Sequence, residues 1–187
     1  MELEVTEIKV HIEGISDIMF NRFIDHSQNA RPPEQSLYLA EGDAIVLPSE
    51  NIWAFLFSEN PPGCAKSFEG KKGKEYIRVG QAHLAIPLPI IPIMKKGVPM
   101  VFKSFNEDIY VSHYAPRTKQ GTLSIKQEVL PRPVIHLPWE LEFPLKLIKN
   151  DLIDETKLLN WFSRGGIEIA IGNYRPRYGR FTAKFKK

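Results

Sequence analysis

The chain has a single cysteine, Cys64, so it can form no disulfide within itself. It also has no long apolar run: the longest, Leu84 to Met94, is interrupted by Pro87, Pro89 and Pro92 and is too short to cross a bilayer. The beginning of the chain is acidic and alternates polar with apolar residues, which is not the pattern of a signal peptide. From these absences we expect a cytoplasmic protein without a membrane segment.

Residue groupings typical of metal or catalytic sites are scarce. The five histidines are isolated from one another, and no Cys-x-x-Cys pair exists, so we expect neither a metal nor a cofactor. The adjacent Asp25 and His26 form a candidate acid–base pair in a polar loop. Cys64 has no evident catalytic partner, and Gly70 to Lys74 lacks the spacing of a phosphate loop.

Length and composition predict one folded domain. With 187 residues, of which 43% are hydrophobic and 25% charged, the chain can bury a substantial core. The 15 prolines are concentrated between Pro87 and Pro144, which predicts extended, loop-rich structure in that region.

Positive charge is concentrated at the C-terminus. The formal net charge is only +3, but the last sixteen residues carry six cations and no acid, which leaves residues 1–171 with a charge of about −3. Four aromatic residues are interspersed with these cations. The cations and rings are Arg175, Arg177, Arg180, Lys184, Lys186 and Lys187, with Tyr174, Tyr178, Phe181 and Phe185.

Apolar periodicity predicts helices and strands over much of the chain. Glu4 to Gly14 alternates like a half-buried strand, and an unusually apolar helix begins at Ser49, the expected N-cap. The clearest helix pattern covers Leu152 to Arg164, where Asn150 or Asp151 can cap the start and Gly165-Gly166 provides the stop.

The remaining segments predict further strands and loops. We expect a loop over Ser67–Lys74, a turn at Lys95-Lys96-Gly97, and strands over Tyr76–Val79, Ile109–Tyr114 and Ile167–Ile171, with another over Phe181–Phe185. An antiparallel pair is expected from residues 123–130 and 139–148, with Pro144 indicating an edge strand.

The order of strand, helix, several strands, helix and strand predicts an α+β fold with a ferredoxin-like βαββαβ core. We expect a single domain over 1–187, with the core formed by about 1–60 and 120–187. A long proline-rich insertion between the central strands would cover about 61–119.

Three features resemble the RAMP superfamily of CRISPR-associated proteins. They are a first strand that ends in Gly14, the segment Leu47-Pro-Ser-Glu-Asn-Ile-Trp-Ala-Phe-Leu leading into a helix, and the arginine-rich and glycine-rich run from Gly172 to Arg180. In that family the strand-to-helix segment is typically Ile-Pro-Gly-Ser-Ser-Leu-Lys-Gly; Pro48 and Ser49 match it, while its glycines and lysine have no counterpart here. The Gly172–Arg180 run also resembles proteins of phages and other mobile elements. The resemblance implies a ferredoxin-like RNA-binding protein that assembles with other subunits.

Single-stranded nucleic acid uses both cations and rings, because phosphates require positive charge and unpaired bases stack on aromatic faces. The residues therefore predict a non-catalytic protein that binds single-stranded nucleic acid, and the resemblance implies that it prefers RNA to DNA and is a subunit of a multimeric ribonucleoprotein. Its partners would be other protein subunits, including copies of itself. The predicted interface comprises Tyr174, Arg175, Arg177, Tyr178, Arg180 and Lys184 near the C-terminus, Lys71, Lys72 and Lys74 in a glycine-rich and lysine-rich segment, and Arg117 and Lys119 in a basic segment.

Two other functions stay open. One is an endoribonuclease of the same fold that uses Asp25 and His26. The other is a protein-interaction module of a mobile element, such as an inhibitor of host defence, with Leu84–Met94 as its contact surface. A structural alternative for the C-terminus is that Arg175 and Arg177 pair with the acids of residues 151–155.

Overall fold

The computed structural model describes residues 3–22, 32–113, 118–119, 122–123 and 131–186, which fold into a mixed α+β structure with antiparallel sheets. Short 3-10 turns cover Pro33–Ser36, Glu41–Asp43 and Gly70–Lys72. The helices are α1 (Ser49–Phe57), α2 (Cys64–Phe68), α3 (Gly73–His83) and α4 (Glu155–Glu168). The strands are β1 (Val5–Gly14), β2 (Ile18–Met19), β3 (Val46–Pro48), β4 (Leu84–Ala85), β5 (Ile90–Pro92), β6 (Met94–Lys95), β7 (Val98–Pro99), β8 (Ile109–Ser112), β9 (Thr118–Lys119), β10 (Thr122–Leu123), β11 (Arg132–Ile135), β12 (Glu140–Ile148) and β13 (Phe181–Lys186).

The largest sheet in the described ranges has six antiparallel strands. Its order is β13-β1-β12-β6-β7, and β4 also pairs with β12. Strands β1 and β12 are in register along their lengths, with Val10 opposite Phe143 and Ile12 opposite Leu141. Alternate residues of both strands are buried, so one face of the sheet is apolar and the other carries charged side chains.

Helices α1 and α4 cover the apolar face. The Phe55 ring lies 5.4 Å from the Phe162 ring and 5.3 Å from the Phe181 ring, measured between centroids. Close approach of α4 to β13 requires a glycine, because a Cβ on Gly166 would lie 2.4 Å from the Phe181 carbonyl oxygen. Among the helices of the described ranges, none has the length and apolar character needed to cross a bilayer.

The segment after α1 is helical, so the predictions of a loop over Ser67–Lys74 and a strand over Tyr76–Val79 are wrong. Helix α3 buries Ile77 and Gly80 on the side that packs against α1. A Cβ on Gly80 would lie 2.2 Å from the ring of Phe57. Close packing against α1 therefore outweighs the strand propensity of the tyrosine, isoleucine and valine in this segment.

Helix α4 starts and ends later than its predicted span, Leu152–Arg164. Asp154 is the N-cap, since its side chain accepts a hydrogen bond from the backbone N–H three residues on, at 2.7 Å. The helix continues through Gly165-Gly166, which are buried packing positions and do not end it. The predicted strand over Ile167–Ile171 is therefore wrong, and the chain turns at Ala170, where φ is 64°.

Two predictions about element ends are also corrected. Ser49 is the buried first residue of α1, and the N-cap, Pro48, makes no side-chain capping bond. Pro144 lies inside the sheet, in register with β1, and does not mark an edge strand. The other side of β12 has no registered partner between Glu140 and Lys146, so the missing N–H of proline costs no ladder bond there.

Residues 61–119, predicted as an insertion, contribute to the main core. They supply α2, α3 and the sheet strands β4, β6 and β7. Ile77, Ile91 and Ile93 belong to the same buried cluster as Val10 and Phe55. The predicted turn at Lys95-Lys96-Gly97 is confirmed: it joins β6 to β7 as a hairpin, with positive φ at Lys96 and Gly97.

A separate three-stranded sheet, ordered β2-β11-β8, lies beside the C-terminal end of the fold. Val134 is its central residue and pairs with Met19 on one side and Tyr110 on the other. Of the predicted strand over residues 123–130, only Leu123 lies within the described residues, where it belongs to β10 and pairs with β9.

Candidate nucleic-acid interface

Residues 172–180, here called the C-terminal loop, connect α4 to β13 and lie against the turn that follows β1. The Asn173 N–H donates to the Met19 carbonyl at 2.8 Å, and the Gly179 N–H donates to the Asp17 carbonyl at 2.7 Å. The Arg180 N–H donates to the Ser16 hydroxyl at 3.0 Å. These bonds fix the loop backbone independently of any ligand.

Glycine is required where the loop closes. Gly179 has φ +74°, and a Cβ there would lie only 1.8 Å from the Ile171 carbonyl oxygen. Gly172 has φ +82°, and its Cβ would lie 2.8 Å from the Met19 carbonyl oxygen. The two ends of the loop therefore approach one another and β2 more closely than any side chain permits.

Two of the four C-terminal rings remain at the surface. Tyr174 and Tyr178 are half-buried, with ring centroids 6.2 Å apart and an interplanar angle of 43°, and they pack against Met19 and Val134. Phe181 is fully buried in the main core. Phe185 is half-buried and contacts Phe162, so neither phenylalanine forms part of a surface platform.

The predicted arginines of the loop differ in their surroundings. Arg177 and Arg180 are exposed and make no ion pair with any residue of the described ranges. Arg175 is half-buried, donates to the Ala170 carbonyl at 3.4 Å, and has a pKa lowered by burial of its guanidinium. The loop thus presents two unpaired guanidinium groups to solvent.

The structural alternative for these arginines is wrong within the described residues. Neither Arg175 nor Arg177 pairs with an acid of residues 151–155. Asp154 instead caps α4, and Arg175 is directed to a backbone carbonyl.

The other predicted cations lie apart from the C-terminal loop. Lys71, Lys72 and Lys74 are exposed near the start of α3, next to Glu69, whose carboxylate is 3.1 Å from the Lys157 ammonium at the start of α4. Helix α4 has 14 residues. At 1.5 Å per residue, the part of it from Lys157 to Glu168 is about 17 Å long, and this stretch lies between Glu69 and the C-terminal loop. Lys119 belongs to β9, and Arg117 lies outside the described residues.

The charged face of the six-stranded sheet is occupied by its own ion pairs. Lys184 of β13 lies 3.3 Å from Glu13, and Glu142 lies between Lys9, at 2.6 Å, and Lys186, at 3.0 Å. These ammonium groups lower the pKa of both carboxyls. A nucleic-acid strand lying across this face would contact charges that are already paired, whereas the C-terminal loop presents unpaired positive charges.

The sequence did not predict a cluster formed by Asp17, Tyr110 and His136, which adjoins the C-terminal loop through the Asp17 backbone. The Asp17 carboxylate accepts hydrogen bonds from Tyr110 Oη at 2.7 Å, from His136 Nδ1 at 2.9 Å and from the Leu137 N–H at 3.2 Å. Burial, followed by the bond to Asp17, raises the pKa of the Tyr110 phenol. Asp17 and His136 are 119 residues apart, so no local spacing could have indicated their contact.

The residues considered for catalysis or protein contact show no site in the described part of the chain. Asp25 and His26 lie outside the described residues. The Cys64 thiol is buried, donates to the Trp161 carbonyl at 3.5 Å, and has a pKa raised by burial, in keeping with an inert thiol. Within the described ranges, no group of three or more histidine, cysteine or acidic residues could hold a metal ion. Of the predicted apolar contact segment, Ile90 is partly exposed and Ile91 is buried.

Comparison with known proteins adds no family assignment: no protein-family model and no curated protein matches this chain.

Proposed function

We propose that this protein binds single-stranded nucleic acid, RNA in preference to DNA, through the C-terminal loop, as one subunit of a multimeric ribonucleoprotein. The observation that carries the proposal is the combination of two exposed, unpaired arginines with two half-buried tyrosines on one loop whose backbone is already fixed. Such a preorganised loop loses less conformational entropy on binding than a disordered basic tail would.

Each side chain has a distinct role in the proposed complex. Arg177 and Arg180 bind phosphates, since their guanidinium groups have no internal acid to compete for them in the described chain. Tyr174 and Tyr178 offer ring faces and edges to unpaired bases, while Met19 and Val134 support them from below. Sequence preference is weak, because phosphate contacts and stacking do not recognise base edges.

A ferredoxin-like core of the RAMP type is part of the same proposal. The strand order supports it. On one side of β12 lies β1, and on the other lie the short strands that come after α1 and α3 in the chain. On one side of β1 lies β12, and on the other lies β13; helix α4 connects β12 to β13. This interleaving of two βαβ halves is the arrangement expected for a split βαβ fold. In this arrangement residues 61–119 supply two helices beyond the core pattern, α2 and α3, and the short sheet strands that lie next to β12.

Salt dependence of binding tests the role of the arginines. The measurement is the fluorescence anisotropy of labelled oligouridine, titrated with protein at several salt concentrations. Two phosphates neutralised by Arg177 and Arg180 contribute about −1.4 to the slope of log affinity against log salt. Replacing Arg177 and Arg180 together by alanine is expected to weaken binding and to make the slope less negative by about 1.4, since each single-strand phosphate contact contributes about 0.7.

Lys146 and Lys149 provide the matched control. Their alanine double variant also removes two positive charges, but these lysines pair with Glu7 and Glu4 at the far end of β1 from the loop. We expect this variant to bind with the wild-type slope. Equal changes in the two double variants would mean that net charge alone drives binding, and the C-terminal loop would then be removed from the interface.

A further inference from the structure

His136 is a surface histidine whose ring is held in one orientation by a carboxylate. Its Nδ1 lies 2.9 Å from Asp17 Oδ1, and the other oxygen of Asp17 accepts a hydrogen bond from Tyr110 at 2.7 Å. The Tyr110 and His136 rings are also in contact, with centroids 6.5 Å apart. These contacts fix both the position of the imidazole and the direction in which its second nitrogen can act.

The carboxylate also determines where the ring carries its proton. Because ionised Asp17 can only accept, Nδ1 carries the hydrogen, and Nε2 of the neutral ring is left with a lone pair. Nε2 has no hydrogen-bond partner in the described part of the chain, and 56% of the His136 side-chain surface is exposed. The surface therefore presents a fixed, unused hydrogen-bond acceptor.

This acceptor adjoins the C-terminal loop. Asp17 holds His136 through its side chain and the Gly179 N–H through its backbone carbonyl, at 2.7 Å. Tyr110 packs in the same small cluster as Tyr174 and Tyr178. A nucleic-acid strand bound by the C-terminal loop would thus pass beside the His136 imidazole.

We infer that His136 Nε2 accepts a hydrogen bond from a ribose 2′-hydroxyl and so makes the site prefer RNA to DNA. The inference rests on the proposed function of the C-terminal loop. Phosphate and ring oxygens of the backbone only accept hydrogen bonds, so they cannot pair with the lone pair of Nε2. The 2′-hydroxyl is the backbone's donor, and DNA lacks it.

The test compares labelled oligouridine with oligodeoxyuridine of equal length, which differ only in the 2′-hydroxyls, by anisotropy at one salt concentration. His136→Phe keeps a ring against Tyr110 but removes the acceptor. We expect this variant to bind oligouridine roughly three- to tenfold more weakly, the change that loss of one hydrogen bond produces, and to bind oligodeoxyuridine as the wild type does. His83→Phe, which alters a histidine on α3 whose Nδ1 bonds to the Val79 carbonyl, serves as the control and should change neither affinity.

A second variant tests the same acceptor without altering His136. In Asp17→Asn the amide oxygen can still accept from His136 Nδ1 and from the Leu137 N–H, while the amide NH2 faces the Tyr110 hydroxyl, so Nε2 keeps its lone pair. The RNA preference should be kept in this variant and fall in His136→Phe, with urea denaturation confirming that both variants are folded. An unchanged ratio of RNA to DNA affinity in folded His136→Phe overturns the inference and leaves the proposed function standing. Failure of the wild type to bind either oligonucleotide overturns the proposed function itself.

Discussion

Gly179 is the residue on which closure of the C-terminal loop depends. Its φ is positive, and a Cβ added to it would lie 1.8 Å from the Ile171 carbonyl oxygen, so there is no room for alanine. Gly179→Ala must therefore shift the loop away from Ile171 or from Asp17. We expect a loss of at least about 2 kcal/mol in the free energy of unfolding, measured by urea denaturation.

Gly42 separates the effect of backbone conformation from that of crowding. It has φ +70°, close to that of Gly179, but a Cβ there would meet no atom within 4 Å. Gly42→Ala is expected to cost only about 1 kcal/mol, the penalty for an L-residue in the left-handed region. Equal losses at the two positions would show that contact with Ile171 does not constrain the loop.

Residue alternation in β13 could have corrected part of the predicted interface. Phe181, Ala183 and Phe185 alternate with Thr182 and Lys184, which in a strand places the two phenylalanines on the apolar face. The same pattern places Lys184 beside the acids of β1, where it pairs with one of them. The pairing of Asp17 with His136 depends on tertiary structure alone and could not be derived from the sequence.

At the scale of elements, the N-terminus of α4 depends on one side chain. Asp154 accepts a hydrogen bond from the Lys157 N–H at 2.7 Å. Of the two predicted caps, Asn150 accepts from the N–H groups of Leu152 and Ile153, which precede the helix, and exposed Asp151 makes no capping bond in the described chain. Asp154→Ala is expected to lower the free energy of unfolding by about 1 kcal/mol.

Asp151→Ala is the matched control, since it removes the same charge three residues before the cap. Urea denaturation of this variant should give a change close to zero. A loss equal to that of Asp154→Ala would mean that charge near the helix terminus matters and that the capping bond does not.

Elements with strong local patterns could be predicted from sequence, and elements formed by packing could not. Apolar alternation, an apolar run and turn chemistry predict strand β1, helix α1, strand β8 and the turn at Lys95-Lys96-Gly97. Helix α3 is hidden from such patterns because its residues favour strands locally, while Gly80 permits contact with Phe57 that only tertiary structure reveals. Gly165 and Gly166 are similarly ambiguous, since a glycine that ends a helix and one that admits a neighbour look alike in sequence.

At the scale of the whole molecule, the charged sheet face contributes to acid sensitivity. The pKa of Glu142 is lowered below 4.5 by Lys9 and then by Lys186, and that of Glu13 by Lys184. A carboxyl with a lowered pKa in the folded state stabilises the protein above its unfolded pKa, and this contribution is lost as the pH falls through the folded value. We therefore expect stability to decline as the pH drops below about 4.5.

Glu142→Gln should remove part of that decline. The variant is expected to be less stable than the wild type at neutral pH by less than about 1 kcal/mol, and the difference should shrink as the pH falls. Urea denaturation across the acid range measures it. Glu107→Gln is the control, because it alters an exposed glutamate that makes no ion pair in the described chain. The free energy of unfolding of this variant should change with pH as that of the wild type does. A constant gap between Glu142→Gln and the wild type at all pH values would contradict the assignment.

The C-terminal loop is anchored at both ends in the interior, at Ile171 and Phe181, which are fully buried. Backbone hydrogen bonds hold it near both ends, from Asn173 to the Met19 carbonyl and from Gly179 to the Asp17 carbonyl. In the proposed complex, tension on a nucleic acid bound by Arg177 and Arg180 would pass into the turn after β1 and into the edge strand β13. The folded part of the protein would then resist the tension directly, whereas a flexible C-terminal tail would first extend.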